Sequence, residues 1–96
     1  MIAVIVTLKA KPGRGEALAA ILKEAAERTR ADEPGCVFYS ITRAHEDSAV
    51  FKVFQIYASQ QALDEHRRAP HAQSIGARLA EQTAEPGTVE FLDVVE

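Results

Sequence analysis

The segment Val50–Tyr57, with the sequence VFKVFQIY, decides the fold class. It is rich in β-branched and aromatic residues on both alternating faces, which is typical of a strand that is covered on both sides. Residues 46–48, Glu-Asp-Ser, form a turn signal before it, and the apolar residues 36–44 precede that turn. The two stretches therefore predict an antiparallel hairpin, with strands over residues 36–44 and 49–57.

The segment before the hairpin predicts one strand and one helix. Residues 2–9 alternate and are mostly β-branched or aliphatic, which indicates a strand that Pro12 and Gly13 end. In the next segment the apolar residues follow helical spacing and predict an amphipathic helix over residues 14–31. The residues of this apolar stripe are Leu18, Ile21, Leu22 and Ala25. The helix ends at residues 32–35, Asp-Glu-Pro-Gly, because proline cannot continue it.

The segment after the hairpin predicts two helices and a last strand. Ser59 is a suitable N-cap for a helix over residues 60–68. Pro70 favours the first turn of a second helix over residues 71–81, with Ile75 and Leu79 facing inward. The last strand covers residues 87–95. The triplet Glu-Pro-Gly occurs at residues 33–35 and again at 85–87, before a strand each time, and it predicts a type II turn at both places.

The order strand, helix, strand, strand, helices, strand predicts an α+β fold in a single domain over residues 1–96. It is the ferredoxin-like βαββαβ arrangement, in which helices cover one face of an antiparallel sheet. The other sheet face is too apolar for water, so we expect a second sheet to cover it. A homodimer whose sheets pack against each other, as in a dimeric α/β barrel, satisfies that expectation.

Composition excludes several classes of function. The net charge is −3 and the pI is near 5.6, so no basic surface for nucleic acid is expected. Cys36 is the single cysteine, and we expect it to be a buried, inert thiol in a reducing compartment. The first residues lack the charged region of a secretion signal, and their apolar run is too short to cross a membrane. These observations predict a cytoplasmic location without membrane partners.

Residues 62–71, ALDEHRRAPH, hold two of the three histidines of the chain and are the candidate functional segment. His66 shares a helical face with Leu63 and should point inward, where imidazole is suited to proton transfer near neutral pH. A buried structural histidine is the alternative interpretation. His71 near a helix start is expected at the surface or in a cap, and His45 in a turn. No metal is expected, because the histidines are five residues apart and no third ligand is evident.

Strand alternation places one set of residues on a single face of the strand at residues 49–57, and this set shares a pocket with the inward-pointing His66 if that face meets the helices. These residues are Phe51, Val53, Gln55 and Tyr57. We expect them to line a cavity between sheet and helices together with Tyr39 and His71. The helix entry at residues 11–15, KPGRG, lacks the spacing of a phosphate-binding loop, and no cofactor-binding motif is present.

The chain resembles the antibiotic biosynthesis monooxygenase family of small dimeric α+β barrels. The resemblance rests on Lys-Pro-Gly at 11–13, Glu-Pro-Gly-Cys at 33–36 followed by Tyr39, the strand at 51–57, and the residues 62–66 with Pro70 and His71. It implies a homodimer that takes a small aromatic or quinol-like substrate. Family members include cofactor-independent oxygenases of quinols and polycyclic phenols, isomerases of phosphorylated signalling sugars, and haem degraders.

Two departures from the family pattern shape the predicted mechanism. Gln55 stands where the family often has a glutamate, and an amide cannot act as a general base. The chain contains no asparagine and no tryptophan, which the haem-degrading branch uses. The resemblance therefore implies that His66 takes the phenolic proton while Tyr57 or Gln55 donates to the oxyanion. The alternatives are a non-catalytic dimeric ligand-binding module and an isomerase in which Arg67 and Arg68 bind phosphate.

Overall fold

The computed structural model describes all 96 residues, Met1–Glu96. It contains four strands and three helices, and every predicted element is present with ends that differ by no more than two residues. The elements, in chain order, are β1 (Ile2–Lys9), α1 (Gly15–Asp32), β2 (Cys36–Arg43), β3 (Val50–Tyr57), α2 (Gln60–Arg68), α3 (Pro70–Gln82) and β4 (Thr88–Asp93).

The four strands form one antiparallel sheet in the order β2-β3-β1-β4, so β2 and β4 are its edges. This is the ferredoxin-like fold that the element order predicts, and the sheet of one chain is open. The helices cover one face of it. None of them combines the length and the hydrophobicity that a transmembrane span requires.

The burial pattern shows which face of β3 the helices cover, a choice that strand alternation leaves open. Phe51, Val53, Gln55 and Tyr57 of β3 point to the helices, and each is at most 6% exposed. The predicted stripe of α1 is also buried. Its Leu18 and Leu22 pack in the core cluster that contains Phe51 and Val53. The rest of the stripe, Ile21 and Ala25, packs against Ile75 of α3. Each fully buried leucine contributes about 1.5–3 kcal/mol to folding, so this stripe fixes α1 on the sheet.

The opposite face of the sheet is apolar and has no second layer in one chain. Ile5 of β1 pairs with Phe54, and Phe38 of β2 pairs with Ile56, so these four side chains share that face. Phe38 is 49% exposed, and Leu92 of β4, on the same face, is 41% exposed. The expectation of an apolar second face is therefore met, while the homodimer stays a prediction.

The two Pro-Gly turns differ from the type II turns that the sequence predicts. Only Gly13 has a positive φ, of 76°, whereas a type II turn requires a positive φ at its glycine. Gly35 and Gly87 are needed because other atoms approach them closely. A Cβ at Gly35 would lie 2.6 Å from the Cβ of Ala62, and a Cβ at Gly87 would lie 2.5 Å from Leu8 Cδ2. The absence of a side chain, and not an unusual backbone angle, explains both glycines.

Candidate functional site

A cavity of about 160 Å³ lies between the helices and the covered face of the sheet. Fourteen residues line it, and nine of them are hydrophobic. The apolar walls come from β1, β3, α1 and α3. The polar side chains that reach it are Thr29, Tyr39, Gln55, His66 and His71. The cavity is therefore an apolar space with a small number of polar groups, which is typical of a small-molecule site.

A carboxylate between two histidines lies at the border of this cavity. Nδ1 of His66 is 2.8 and 2.9 Å from the two carboxylate oxygens of Glu33. Nε2 of His71 is 2.7 Å from Oε2 of the same carboxylate. The side chains of Glu33, His66 and His71 are only 13%, 20% and 12% exposed. Charge-assisted hydrogen bonds this short in a largely dry environment hold all three groups in one arrangement.

The position of Glu33 follows from the way α1 ends. Glu33 is the C-cap of α1, with its backbone N–H donating to Thr29 O, and Pro34 prevents the helix from continuing. A tight turn follows, in which Cys36 N–H donates to Glu33 O at 3.0 Å. Because Gly35 has no side chain, this turn packs directly against Ala62 near the start of α2. The close approach brings the Glu33 carboxylate next to the helix that carries His66.

A break between α2 and α3 brings His71 to the same carboxylate. In one continuous helix, residues five positions apart point in directions about 140° apart. Ala69 is extended instead, with φ −62° and ψ 132°, and Pro70 starts α3 in a new direction. At the other end of α2, Ser59 accepts a hydrogen bond from Ala62 N–H, as the sequence predicts for its N-cap. The break at Ala69 and Pro70 is therefore the reason that the two imidazoles converge.

The hydrogen bonds determine which nitrogen of His66 is able to take a proton. An ionised carboxylate only accepts hydrogen bonds, so Nδ1 of His66 donates to Glu33 and the lone pair of the neutral ring lies on Nε2. A carboxylate in this position holds the ring in place and stabilises the imidazolium that forms when Nε2 is protonated. Glu33 and His66 therefore have the arrangement of a carboxylate–histidine pair at the border of an apolar cavity.

Tyr57 positions Gln55 at the floor of the cavity. The Tyr57 hydroxyl donates to Oε1 of Gln55 at 2.5 Å, and both side chains are buried. The Gln55 amide nitrogen has no hydrogen-bond partner within the protein and remains as a donor at the cavity. Burial raises the pKa of Tyr57 far above its usual range, so the phenol stays protonated and keeps its hydrogen bond. The Tyr57 ring lies under His66, with 5.2 Å between ring centroids.

The structure brings together most of the residues that the sequence proposes for the pocket. Tyr39, Val53, Gln55, His66 and His71 line the cavity. Burial raises the pKa of Tyr39 to about 12, so its hydroxyl also stays protonated. The expectation that His71 lies at the surface or in a helix cap is wrong. Its side chain is only 12% exposed and is hydrogen-bonded to Glu33. The structure establishes where these residues lie, while their catalytic roles remain predictions.

Three other expectations about the residues of the site also need correction. Phe51 does not line the cavity, because it is 2% exposed in the core cluster beneath α1. Tyr57 does not line it either and reaches it only through Gln55. Cys36 was expected to be buried but is half-buried, and its Sγ donates to Phe38 O at 3.3 Å. Burial raises the pKa of this thiol, which agrees with the expectation that it is inert.

Glu33 is the group that sequence reasoning missed. The sequence signal around it, Glu-Pro-Gly, predicts only a helix end and a turn. The carboxylate is 33 positions from His66 in the chain, so no local spacing connects the two residues. It also supplies the third ligand group whose absence argued against a metal, since the ligand atoms of Glu33, His66 and His71 lie within 4.8 Å of one another.

Comparison with known proteins finds relatives over nearly the whole chain. Residues 1–78, which include Glu33, His66 and His71, match the family model described as "Antibiotic biosynthesis monooxygenase". The Mycobacterium tuberculosis protein named "Putative monooxygenase Rv0793" is 34% identical over 91 residues, which are 95% of this chain and 88% of that protein.

Solved structures of similar proteins share the fold closely. The structure of Rv0793 from Mycobacterium tuberculosis has a TM-score of 0.91 and 32% identity, with 99% of this chain and 95% of that chain covered. A Caulobacter crescentus CB15 structure, described as a "putative antibiotic biosynthesis monooxygenase", has a TM-score of 0.94 and 34% identity, with 99% of this chain and 90% of that chain covered.

Proposed function

This chain belongs to the antibiotic biosynthesis monooxygenase family, and we propose that it oxygenates a single-ring quinol or phenol with dioxygen and no bound cofactor. The observation that carries this proposal is the Glu33–His66 pair at the border of the apolar cavity. Reaction of a phenol with dioxygen starts from the phenolate, so the site needs a base, an apolar space and a donor for the oxyanion. Glu33–His66, the cavity and Gln55 supply these three requirements.

The size of the cavity supports a substrate with one ring. Its volume is about 160 Å³. An apolar cavity of about 150 Å³ is large enough to bind benzene. A polycyclic phenol would have to extend through the mouth of the cavity and leave part of its apolar surface in water. We therefore favour hydroquinone-like compounds over the larger phenols that the family resemblance also suggests.

The first step of the proposed reaction is proton removal by His66. Nε2 takes the phenolic proton, and the Glu33 carboxylate stabilises the resulting imidazolium. The amide N–H of Gln55 donates to the phenolate oxygen, and Tyr57 holds that amide in the required orientation. Gln55 is therefore an oxyanion donor in this proposal, while the base that a strand glutamate could supply is supplied by His66.

The redox balance requires no other reductant, because the quinol supplies all the electrons. One quinol and one dioxygen give one hydroxyquinone and one water. A carbon–oxygen bond forms at a ring carbon whose carbon–hydrogen bond breaks, the oxygen–oxygen bond breaks, and four electrons pass from the ring to dioxygen. The ring proton supplies one hydrogen of the water, and the proton of the second quinol hydroxyl ends on the new hydroxyl group. The proton that His66 accepted returns to the oxygen atom that leaves as water. The apolar walls of the cavity limit side reactions of the intermediates with solvent.

The charge of the cavity lining argues against the isomerase alternative. No lysine or arginine lines the cavity, so nothing there neutralises a phosphate. Arg67 instead lies over the ring of Phe91, with its Cζ 4.6 Å from the ring centroid. The non-catalytic ligand-binding module would use the same cavity, and it differs from the oxygenase only in having no turnover.

Oxygen uptake with a series of quinols tests this proposal. We expect hydroquinone to support faster uptake than naphthohydroquinone or an anthracene phenol, after subtraction of autoxidation in buffer. His66→Ala should lower the rate by about 10²–10⁴-fold, the usual contribution of a positioned general base. His45→Ala, at an exposed turn histidine, is the matched control and should keep the wild-type rate. Binding of a quinol without uptake would replace the oxygenase with the binding module.

A further inference from the structure

His71 is a polar group that the proposed proton transfer does not use. One histidine and one carboxylate are sufficient for the base, yet a second imidazole from a different helix contacts the same carboxylate at 2.7 Å. Glu33, His66 and His71 each offer one ligand atom, and these atoms lie within 4.8 Å of one another. Two imidazole nitrogens and one carboxylate oxygen are a ligand set that Zn²⁺ accepts, with water in the fourth position.

From this cluster we infer that Glu33, His66 and His71 form a binding site for a divalent transition-metal ion of the zinc class. Ligands at about 2.0–2.2 Å from a tetrahedral ion are about 3.3 Å apart. The carboxylate oxygens now lie 2.7–2.9 Å from the two nitrogens, closer than that spacing, and the three ligand atoms lie within 4.8 Å of one another, so the side chains have to adjust within the cluster to admit the ion. His66 and His71 both line the cavity, which gives the ion an entry route.

Electrostatics and burial favour occupation of this site. The three side chains are 12–20% exposed, so their attraction for a cation is screened less than at the surface. No lysine or arginine lines the adjoining cavity. On its other side His71 lines a surface pocket with Arg28 and Arg78, and these two cations are paired with Asp32 and Glu24. Zn²⁺ also suits two imidazoles better than Mg²⁺ or Ca²⁺, which prefer oxygen ligands.

A bound metal ion would prevent His66 from acting as the base. This consequence rests on the proposed function. The ion takes Nδ1 of His66, which is the nitrogen that now donates to Glu33. The ring proton then resides on Nε2, so Nε2 loses the lone pair that would accept the phenolic proton. The carboxylate oxygen that stabilised the imidazolium becomes a metal ligand at the same time. Zinc is therefore an inhibitor of this oxygenase and not its cofactor.

Calorimetric titration of the tag-free protein with zinc chloride measures the binding directly. We expect one ion per chain. His71→Ala and Glu33→Gln should each weaken binding by at least about 10²-fold, because loss of even an outer-shell partner commonly costs 10–100-fold. His45→Ala is the control and should bind as the wild type does. Circular dichroism checks that each variant is folded. Absence of stoichiometric binding at micromolar zinc, or unchanged binding by both site variants, would overturn the inference.

Long-range proton–nitrogen NMR spectra of the imidazoles separate this inference from the proposed function. Before zinc is added, His66 should carry its proton on Nδ1, and with zinc it should carry it on Nε2. This readout requires no turnover, so it stands even for a protein without oxygenase activity. If zinc binds and the tautomer changes while oxygen uptake continues unchanged, the metal site is upheld and the assignment of His66 as base fails. An unchanged tautomer at saturating zinc would refute the metal site itself.

Discussion

Glu33→Gln is the substitution that examines the candidate site most directly. It replaces the carboxylate with an amide of nearly the same size, so the turn and the cavity walls keep their shape. The amide has no charge to stabilise the His66 imidazolium, and its NH₂ group is able to donate to Nδ1. Donation to Nδ1 would place the ring proton on Nε2, where the base needs a lone pair. Both effects lower the rate.

The magnitude follows from the distance between the charges. His66 Nδ1 and the nearest Glu33 oxygen are 2.8 Å apart, which places the centres of the two delocalised charges about 4 Å apart. At an effective dielectric constant of about 20, that separation gives about 4 kcal/mol of stabilisation for the imidazolium. A loss of about 4 kcal/mol in transition-state stabilisation lowers kcat/KM by about 10³-fold. KM should change little, because Glu33 does not line the cavity.

The assay is the initial rate of oxygen uptake at several hydroquinone concentrations. Glu65→Gln is the matched control, because it makes the same chemical change one residue from His66, at an exposed position of α2 where the carboxylate accepts a hydrogen bond from Gln61. Urea denaturation of all variants separates lost catalysis from lost folding. If Glu33→Gln keeps the wild-type kcat/KM while His66→Ala loses activity, the carboxylate does not orient the base and the reasoning is refuted.

Three further predictions concern assembly, packing and protonation. In light scattering the wild type should have twice the 10.5 kDa mass of one chain, and Phe38→Lys on the open sheet face should shift it toward a single copy; a monomeric wild type would contradict the sheet-on-sheet dimer. Gly35→Ala should lower the free energy of unfolding in urea by about 1–3 kcal/mol, because the new methyl overlaps Ala62. Ala62→Gly in the same chain should remove the overlap and restore the loss except for the about 0.5–1 kcal/mol that glycine costs inside α2, and a fully stable single variant would disprove the contact. The folded chain should show no tyrosinate absorbance near pH 10, because burial raises the pKa of Tyr39 to about 12 and that of Tyr57 further. Above pH 10 only the unfolded chain releases these protons, so stability falls as the pH rises toward 12, and a reversible tyrosinate step near pH 10 in the folded protein would contradict the burial.

The fold could be predicted from the sequence because its signals are local. Alternation over residues 50–57 and the helical stripe of α1 each lie within one element, and Pro-Gly breaks separate the elements. The inward direction of His66 was also a local inference, since it depends on spacing from Leu63 within one helix. Alternation grouped Phe51, Val53, Gln55 and Tyr57 on one face of β3, but it could not show which face of the strand meets the helices or how much of that face the cavity covers. The strand is longer than the cavity, so only Val53 and Gln55 reach it.

The rest of the site depends on contacts between distant segments. Glu33 reaches His66 because Gly35 allows the turn after α1 to pack on α2. No pattern in the sequence predicts that this turn and α2 are in contact. The five-residue spacing of His66 and His71 argued against a shared site only under the assumption of one continuous helix. Pro70 was correctly interpreted as a helix start, yet the direction of the new helix depends on how Ile75 packs against α1. Tertiary packing therefore decided what local spacing could not.

The two uncovered edges of the sheet have a consequence for the chain as it leaves the ribosome. β2 and β4 have no neighbour on their outer sides, and each carries large apolar residues that are about half exposed. These residues are Val37 and Phe38 on β2, and Val89 and Phe91 on β4. Open apolar edges are templates on which strands of other chains add, so a single copy is prone to aggregation. Rapid assembly after synthesis would protect the chain, and a variant that blocks assembly should be judged by its yield in the soluble fraction as well as by its mass.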